Sequence, residues 1–365
     1  MQAHHGGNES WDVRQVNDYP NGDVTAWNEM ISILERSGGG DLSLSDWQEA
    51  LGHLDPVNMA DYFLINIYGA TWDWPQNNWV GAKERSSEGR YRLYVWDAEG
   101  SYQNQGYFNA VNHDSIANDL LTQSDTLSKL FQLLIKSPEW RLTFADRVNK
   151  HMFHDGVLDH RNQADSTFRQ HLLALEEDYE PLLDFGLGQS VDLGFYATWS
   201  SPTTGRRRYL LGGEGAPAQG GDRTDFADNG LWPSVAPPEF SQHGGDIAVG
   251  FPVTISASGG AQIYYTLDGS DPRDLGGSIQ SGLSPYSSAL TFSSGRTMVK
   301  ARAYESGSST WSALSEVGFV VDLAVPSASN LVISEFMYHP AAPSASELAA
   351  GHTDQDDFEF IEIMN

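Results

Sequence analysis

Apolar positions in the first two hundred residues recur mostly at helical spacing. Val57, Met59, Phe63, Leu64, Ile67 and Tyr68 fall on one broad face, predicting a helix that Asp55-Pro56 opens and Gly69 ends. Leu127, Leu130, Phe131 and Leu134 predict a second. Ser137-Pro138 then reads as a fresh cap for a helix through Trp140, Phe144, Val148 and Met152. Further helices are expected over Leu44 to Leu51 and Gln163 to Leu183. Between the first two, Tyr91 to Trp96 alternates with a period near two and predicts a strand.

The pattern changes near residue 212. Residues 213–237 are rich in Gly, Pro, Asp and Ala and read as a linker. Beyond it the chain reads as all-β. Val253 to Ser256, Ile263 to Thr266, Ala289 to Phe292, Val299 to Ala303 and Val317 to Val321 alternate as strands do, with Asp268-Gly269 as a hairpin signal. An immunoglobulin-like sandwich over 238–322 is the expectation. A third unit, 330–365, opens with Leu331 to Phe336 and stops within Phe360 to Asn365. Two strands leave unpaired edges, so this β domain is expected to be truncated.

Composition narrows the function classes. With 21 Lys+Arg against 49 Asp+Glu, the net charge of −28 repels phosphate backbones and anionic lipid, excluding nucleic acid as a partner. The one basic cluster, Arg206 to Arg208, reads as a solvated run. Cysteine is absent, which removes disulfides, thiolate metal sites and thiol nucleophiles. No apolar run reaches the roughly 20 residues of a membrane helix, so no membrane insertion is expected. The first residues have neither the basic start nor the apolar stretch of a signal peptide.

The chemistry concentrates between Asp61 and Gly100. Phosphoryl transfer needs a carboxylate beside the attacking hydroxyl, and an amide plus a second carboxylate to hold metal ions. Asp73 and Asn78 stand five apart, and Asp97 follows a predicted strand. Spacing alone is weak evidence, because Asp and Asn at that offset also serve as loop caps. His151 and His154 sit three apart, but no third ligand follows at metal spacing, so they read as surface or packing histidines.

Asp61-Tyr62-Phe63, Asp73-Trp74-Pro75, Asn77-Asn78-Trp79 and Trp96-Asp97-Ala98-Glu99-Gly100 together resemble the CotH kinase family, as does, less specifically, Met152 to Leu158. The resemblance implies an atypical protein-kinase-like α+β domain over 1–212. It also implies Asp73 as catalytic carboxylate, Asn78 and Asp97 as magnesium ligands, ATP as phosphoryl donor, and Glu99 as a second-shell or additional ligand. Relatives often carry Asn where this chain has Thr71. Trp11 to Val13 and Asp23 to Leu34 look like the family's connection between lobes, so the upper nucleotide lobe is expected to be largely missing. Ser37-Gly38-Gly39-Gly40 reads as a turn rather than a phosphate loop, and Lys83 as a solvated loop residue.

Ile263 to Arg273, Val299 to Ala303 and Trp311-Ser312 resemble the C-terminal domain of chitobiases and β-hexosaminidases. Tyr264, Tyr265 and Trp311 could stack on sugar rings, though packing is the favoured use; Asp268 and Asp271 read as turn residues rather than calcium ligands. Leu331 to Phe336 with Glu359 to Glu362 resembles the opening of a lamin-tail domain. Two readings follow. One is a CotH-type kinase of exported or surface proteins, inactive as this fragment. The other is a non-catalytic extracellular or cell-surface scaffold, with polysaccharide as an alternative partner.

Overall fold

Capping side chains set several of the helix starts. The computed structural model describes residues 10–69, 71, 73–98, 115–154, 156–159, 223–322, 332–338, 340–349 and 352–364. Helix α1 spans Thr25–Glu35 and buries Trp27, Met30, Ile33 and Leu34. In α2, Leu44–Ala50, the Ser43 hydroxyl accepts from the Asp46 amide. For α3, Pro56–Gly69, the Asp55 carboxylate accepts from the amides of Val57 and Asn58 at 3.1 and 3.0 Å. Asp125 caps α4, Thr126–Leu134, and Ser137 caps α5, Pro138–Met152, each satisfying amides that a first turn leaves without partners. The helix expected over Gln163 to Leu183 lies outside the described residues, as do Glu99 and Arg206 to Arg208.

Four strands make an antiparallel sheet: β1 (Trp11–Gln15), β2 (Asp18–Asn21), β3 (Trp79–Glu84) and β4 (Arg92–Val95), in the order β2-β1-β3-β4. The segments read as an inter-lobe connection are thus β1 and α1. Trp27 of α1 stacks on Trp79 at 5.8 Å and meets Tyr91 edge-on at 5.1 Å, which fastens the helix to the sheet. Phe63 of α3 gathers Phe131, Trp140 and Trp74 at 4.9, 6.1 and 6.1 Å. All four rings are buried, each contributing roughly 1.5–3 kcal/mol of apolar burial. Within the stretch expected as linker, α6 (Arg223–Asp228) sets Phe226, fully buried, against Phe144 at 5.4 Å.

The later chain is β-rich: β5 (Glu239–Phe240), β6 (Gly245–Ile247), β7 (Ile255–Ser256), β8 (Gln262–Thr266), β9 (Gly295–Glu305), β10 (Thr310–Trp311) and β11 (Ser315–Val321). Antiparallel pairs join β5 to β7, β8 to β9 and β10 to β9, while β6 runs parallel to the last residues of β11. Two expectations fail locally. Ala289 to Phe292 is not a strand; Leu290 is buried and Phe292 stacks on Phe319 at 5.5 Å, so side-chain alternation exists without a ladder. Asp268-Gly269 is a turn, but β8 continues to a distant β9 instead of an adjacent partner.

The chain divides into two compact units, one drawn from Met1–His243, Val253–Ala289 and Met298–Gly318, the other from Gly244–Pro252, Leu290–Thr297 and Phe319–Asn365. In the second, β12 (Val332–Met337) pairs antiparallel with β13 (Phe360–Met364), with Ile333 opposite Ile363. A short helix, α7 (Ala345–Ala349), stands between them in sequence. With helices and several antiparallel sheets, the architecture is mixed α+β and multidomain in plan. No helix among the described residues is long and apolar enough to cross a membrane.

Candidate functional site

The loop between α3 and β3 is fixed from inside. Trp74 is buried and its indole N–H donates to the Tyr62 hydroxyl at 2.9 Å, while burial pushes the Tyr62 phenol well above its ordinary pKa. Thr71 is buried, and its amide donates to the Asn66 carbonyl at 3.1 Å. With Trp74 held inward, Asp73 is half-buried and accepts two side-chain amides on one oxygen, Gln76 Nε2 at 3.2 Å and Asn77 Nδ2 at 3.0 Å. The carboxylate is therefore oriented by its own loop.

The register of β3 and β4 sets the other two residues at one end of the strand pair. Trp79 pairs with Val95, so Asn78, one residue before Trp79, and Asp97, two after Val95, lie at the same end of this antiparallel pair. The loop carrying Asp73 enters at that end. Asp73, Asn78 and Asp97 have φ of 58°, 60° and 54°; among the described residues seven non-glycine positions share this left-handed region. Asp and Asn tolerate it better than most residues, yet it costs free energy wherever nothing compensates. Two carboxylates and an amide oxygen are hard donors of the kind magnesium accepts, so the residue types fit that ion.

Other sequence candidates separate from this site. Lys83 is on strand β3, not in a loop, and its ammonium donates to the Glu84 carbonyl. Ser37 to Gly40 is a turn closed by Gly40 N on Ser37 O at 3.1 Å, with Lys136 Nζ on the Gly38 carbonyl at 2.7 Å. His151 points at the Asp61–Arg147 pair: Arg147 donates to both Asp61 oxygens at 2.6 and 2.8 Å, and His151 Nε2 lies 3.3 Å from Asp61. Burial alone would raise the Asp61 carboxyl, but these two partners hold it below the ordinary carboxylate range.

The aromatic residues near β8 pack on one another. Tyr264 and Trp311 are 5.9 Å apart, Tyr304 and Trp311 4.6 Å, and the Trp311 indole donates to the Gly277 carbonyl at 2.8 Å. Asp268 makes the turn, accepting from the Ser270 amide at 2.9 Å. Asp271 does more: with Asp146 of α5 it clasps Arg302, a buried β9 residue. Two carboxylates share one guanidinium, so burial pushes Asp146 up while Arg302, against a burial penalty of its own, holds Asp271 down.

Sequence reasoning missed one cluster. Just beyond α5, His154 Nε2 lies 3.2 Å from Glu239 Oε2, and its ring stacks on His243 at 4.1 Å and 11°. In the sequence His154 stands beside His151, yet His151 faces Asp61 and His154 faces Glu239. Its partners, at the start of β5 and in the loop after it, lie far along the chain, where no spacing rule looks for them.

A family model described as Fn3 associated matches residues 253–316. No curated protein matches the chain, and no solved structure does.

Proposed function

We propose that this chain carries the catalytic-side elements of an atypical protein kinase of the CotH type, acting on Ser or Thr of exported or extracellular surface proteins. The observation that supports this reading is that Asn78 and Asp97 lie at the end of β3–β4 where the loop carrying Asp73 enters, each of the three in a left-handed backbone conformation. Asp73 would take the proton of the attacking hydroxyl as its oxygen bonds to the γ-phosphorus of ATP and ADP leaves. Asn78 and Asp97 would hold magnesium, which when bound neutralises phosphate charge. The loop hydrogen bonds on Asp73 keep its carboxylate aimed without reorganisation.

Calorimetric titration of magnesium-ATP into the purified chain tests the assignment. Binding that falls at least tenfold in Asp97→Ala supports it. Equal binding by both proteins overturns it. The Fn3-associated match favours a second reading, a non-catalytic surface scaffold whose kinase-like part serves architecture alone. A scaffold has no reason to bind nucleotide, so binding that Asp97→Ala weakens excludes it. The immunoglobulin-like sandwich and the lamin-tail likeness belong with both readings.

A further inference from the structure

We infer that His154, Glu239 and His243 form a binding site for a divalent transition-metal ion of the zinc class. One ligand atom from each, an imidazole nitrogen or a carboxylate oxygen, lies within 4.8 Å of the other two. Ligands on a tetrahedral zinc at about 2.0–2.1 Å stand roughly 3.3 Å apart. The His154–Glu239 separation of 3.2 Å already has that value. Two imidazoles and one carboxylate select zinc over magnesium or calcium, which prefer oxygen alone.

The fold delivers these donors from separate places. Helix α5 ends at Met152, and His154, with φ of 53°, turns its ring back toward the chain entering β5. Glu239 is the first residue of β5, and His243 follows in the succeeding loop. The side chains of His154 and Glu239 are 31% and 48% exposed, so an ion can reach them from solvent. Lys150, which lines the same cavity, is paired with Glu316, which limits its repulsion of a metal. A cavity of about 140 Å³ lined by His154, His243, Asn149 and Phe240, among others, leaves room for water as a fourth ligand.

One rearrangement is required. Imidazole lone pairs lie in the ring plane, and two planes only 11° apart do not aim at one point. His243, which is exposed, must therefore rotate about its Cβ–Cγ bond, opening the stack. The ion would then staple the end of α5 to β5 and close a long loop of chain, with a stabilisation that grows with free metal. This site is independent of the phosphoryl-transfer site, since it shares no residue with Asp73, Asn78 and Asp97.

The test uses the full chain, stripped with a chelator and titrated with zinc against a chromogenic competitor, with cobalt as a spectroscopic substitute. One tightly held zinc, a raised Tm, and visible absorption typical of tetrahedral cobalt are expected. His243→Ala should lose at least tenfold in affinity and all of the Tm gain while keeping the metal-free Tm, because its ring is exposed. Glu239→Gln should weaken binding with little change of shape, and His352→Ala should leave binding intact. Zinc affinity unchanged in both His243→Ala and Glu239→Gln overturns the site. So does the absence of any zinc retained by wild type, which would leave the cluster as an ion pair with a stacked ring.

Discussion

Arg302 and Asp146 form a two-pronged ion pair, Nη1 to Oδ1 at 2.8 Å and Nη2 to Oδ2 at 2.6 Å, between strand β9 and helix α5. Asp271 takes the guanidinium from another side, at 2.8 and 2.6 Å, and the Ser312 carbonyl accepts a further hydrogen bond at 2.8 Å. The arginine side chain is 2% exposed. Breaking such a group from one side strands Asp146, largely buried, and Asp271, partly exposed, without their shared cation. Arg302→Met should therefore cost about 3–5 kcal/mol, read from urea unfolding. In an Asp146→Asn background the same change should cost less, because one stranded charge is already gone. Additive costs would show that the two groups do not interact.

Trp311 is the second residue whose role can be weighed by substitution. It is 5% exposed, packs on Tyr304 and Tyr264, and donates to Gly277. Trp311→Ala should destabilise by about 3–5 kcal/mol. A loss below about 1 kcal/mol would mean that the ring is not core, and would return sugar stacking to consideration.

Local chemistry explains why much of this was legible in the sequence. Ser137-Pro138, Asp55-Pro56 and the apolar face around Phe63 act within a few residues, and their helices stand where the pattern put them. The shared end of Asn78 and Asp97 rests on β3, a strand the sequence pattern does not announce, pairing with the expected β4. Long-range chemistry was not legible. Arg302 reads as an ordinary strand arginine until α5 brings Asp146 to it. His154 finds Glu239 and His243 only through the path of the chain between them. Alternation misled at Ala289 to Phe292 because burial of Leu290 needs an inward side chain, not a paired backbone.

Acid stability should carry the mark of Asp61. Its native carboxyl titrates below the ordinary range, because burial, which would raise it, is outweighed by the contacts from His151 and Arg147. With the folded pKa below the unfolded one, the native state gains stability that is complete above about pH 4. The gain is lost as pH falls through the depressed native value. The stability difference between wild type and Asp61→Asn should thus be greatest at neutral pH and shrink on acidification. A difference that widens toward pH 3 would contradict the pairing.

The left-handed backbone at Asp97 separates function from folding most sharply. At φ of 54° a glycine is at ease, whereas a side chain with a Cβ is strained unless local bonds compensate. If Asp97 is held there for metal chemistry, removing its side chain should relax the fold while destroying the site. Asp97→Gly should then gain about 0.5–1 kcal/mol in thermal unfolding and lose at least tenfold in magnesium-ATP affinity. Asp97→Ala keeps the strain and loses the carboxylate, so it should lose affinity without gaining stability. The opposite pattern, a glycine variant less stable than wild type with nucleotide affinity unchanged, would mean that the aspartate serves the turn itself. A carboxylate kept in a costly conformation without folding benefit needs a ligand to account for it; one that the turn requires does not.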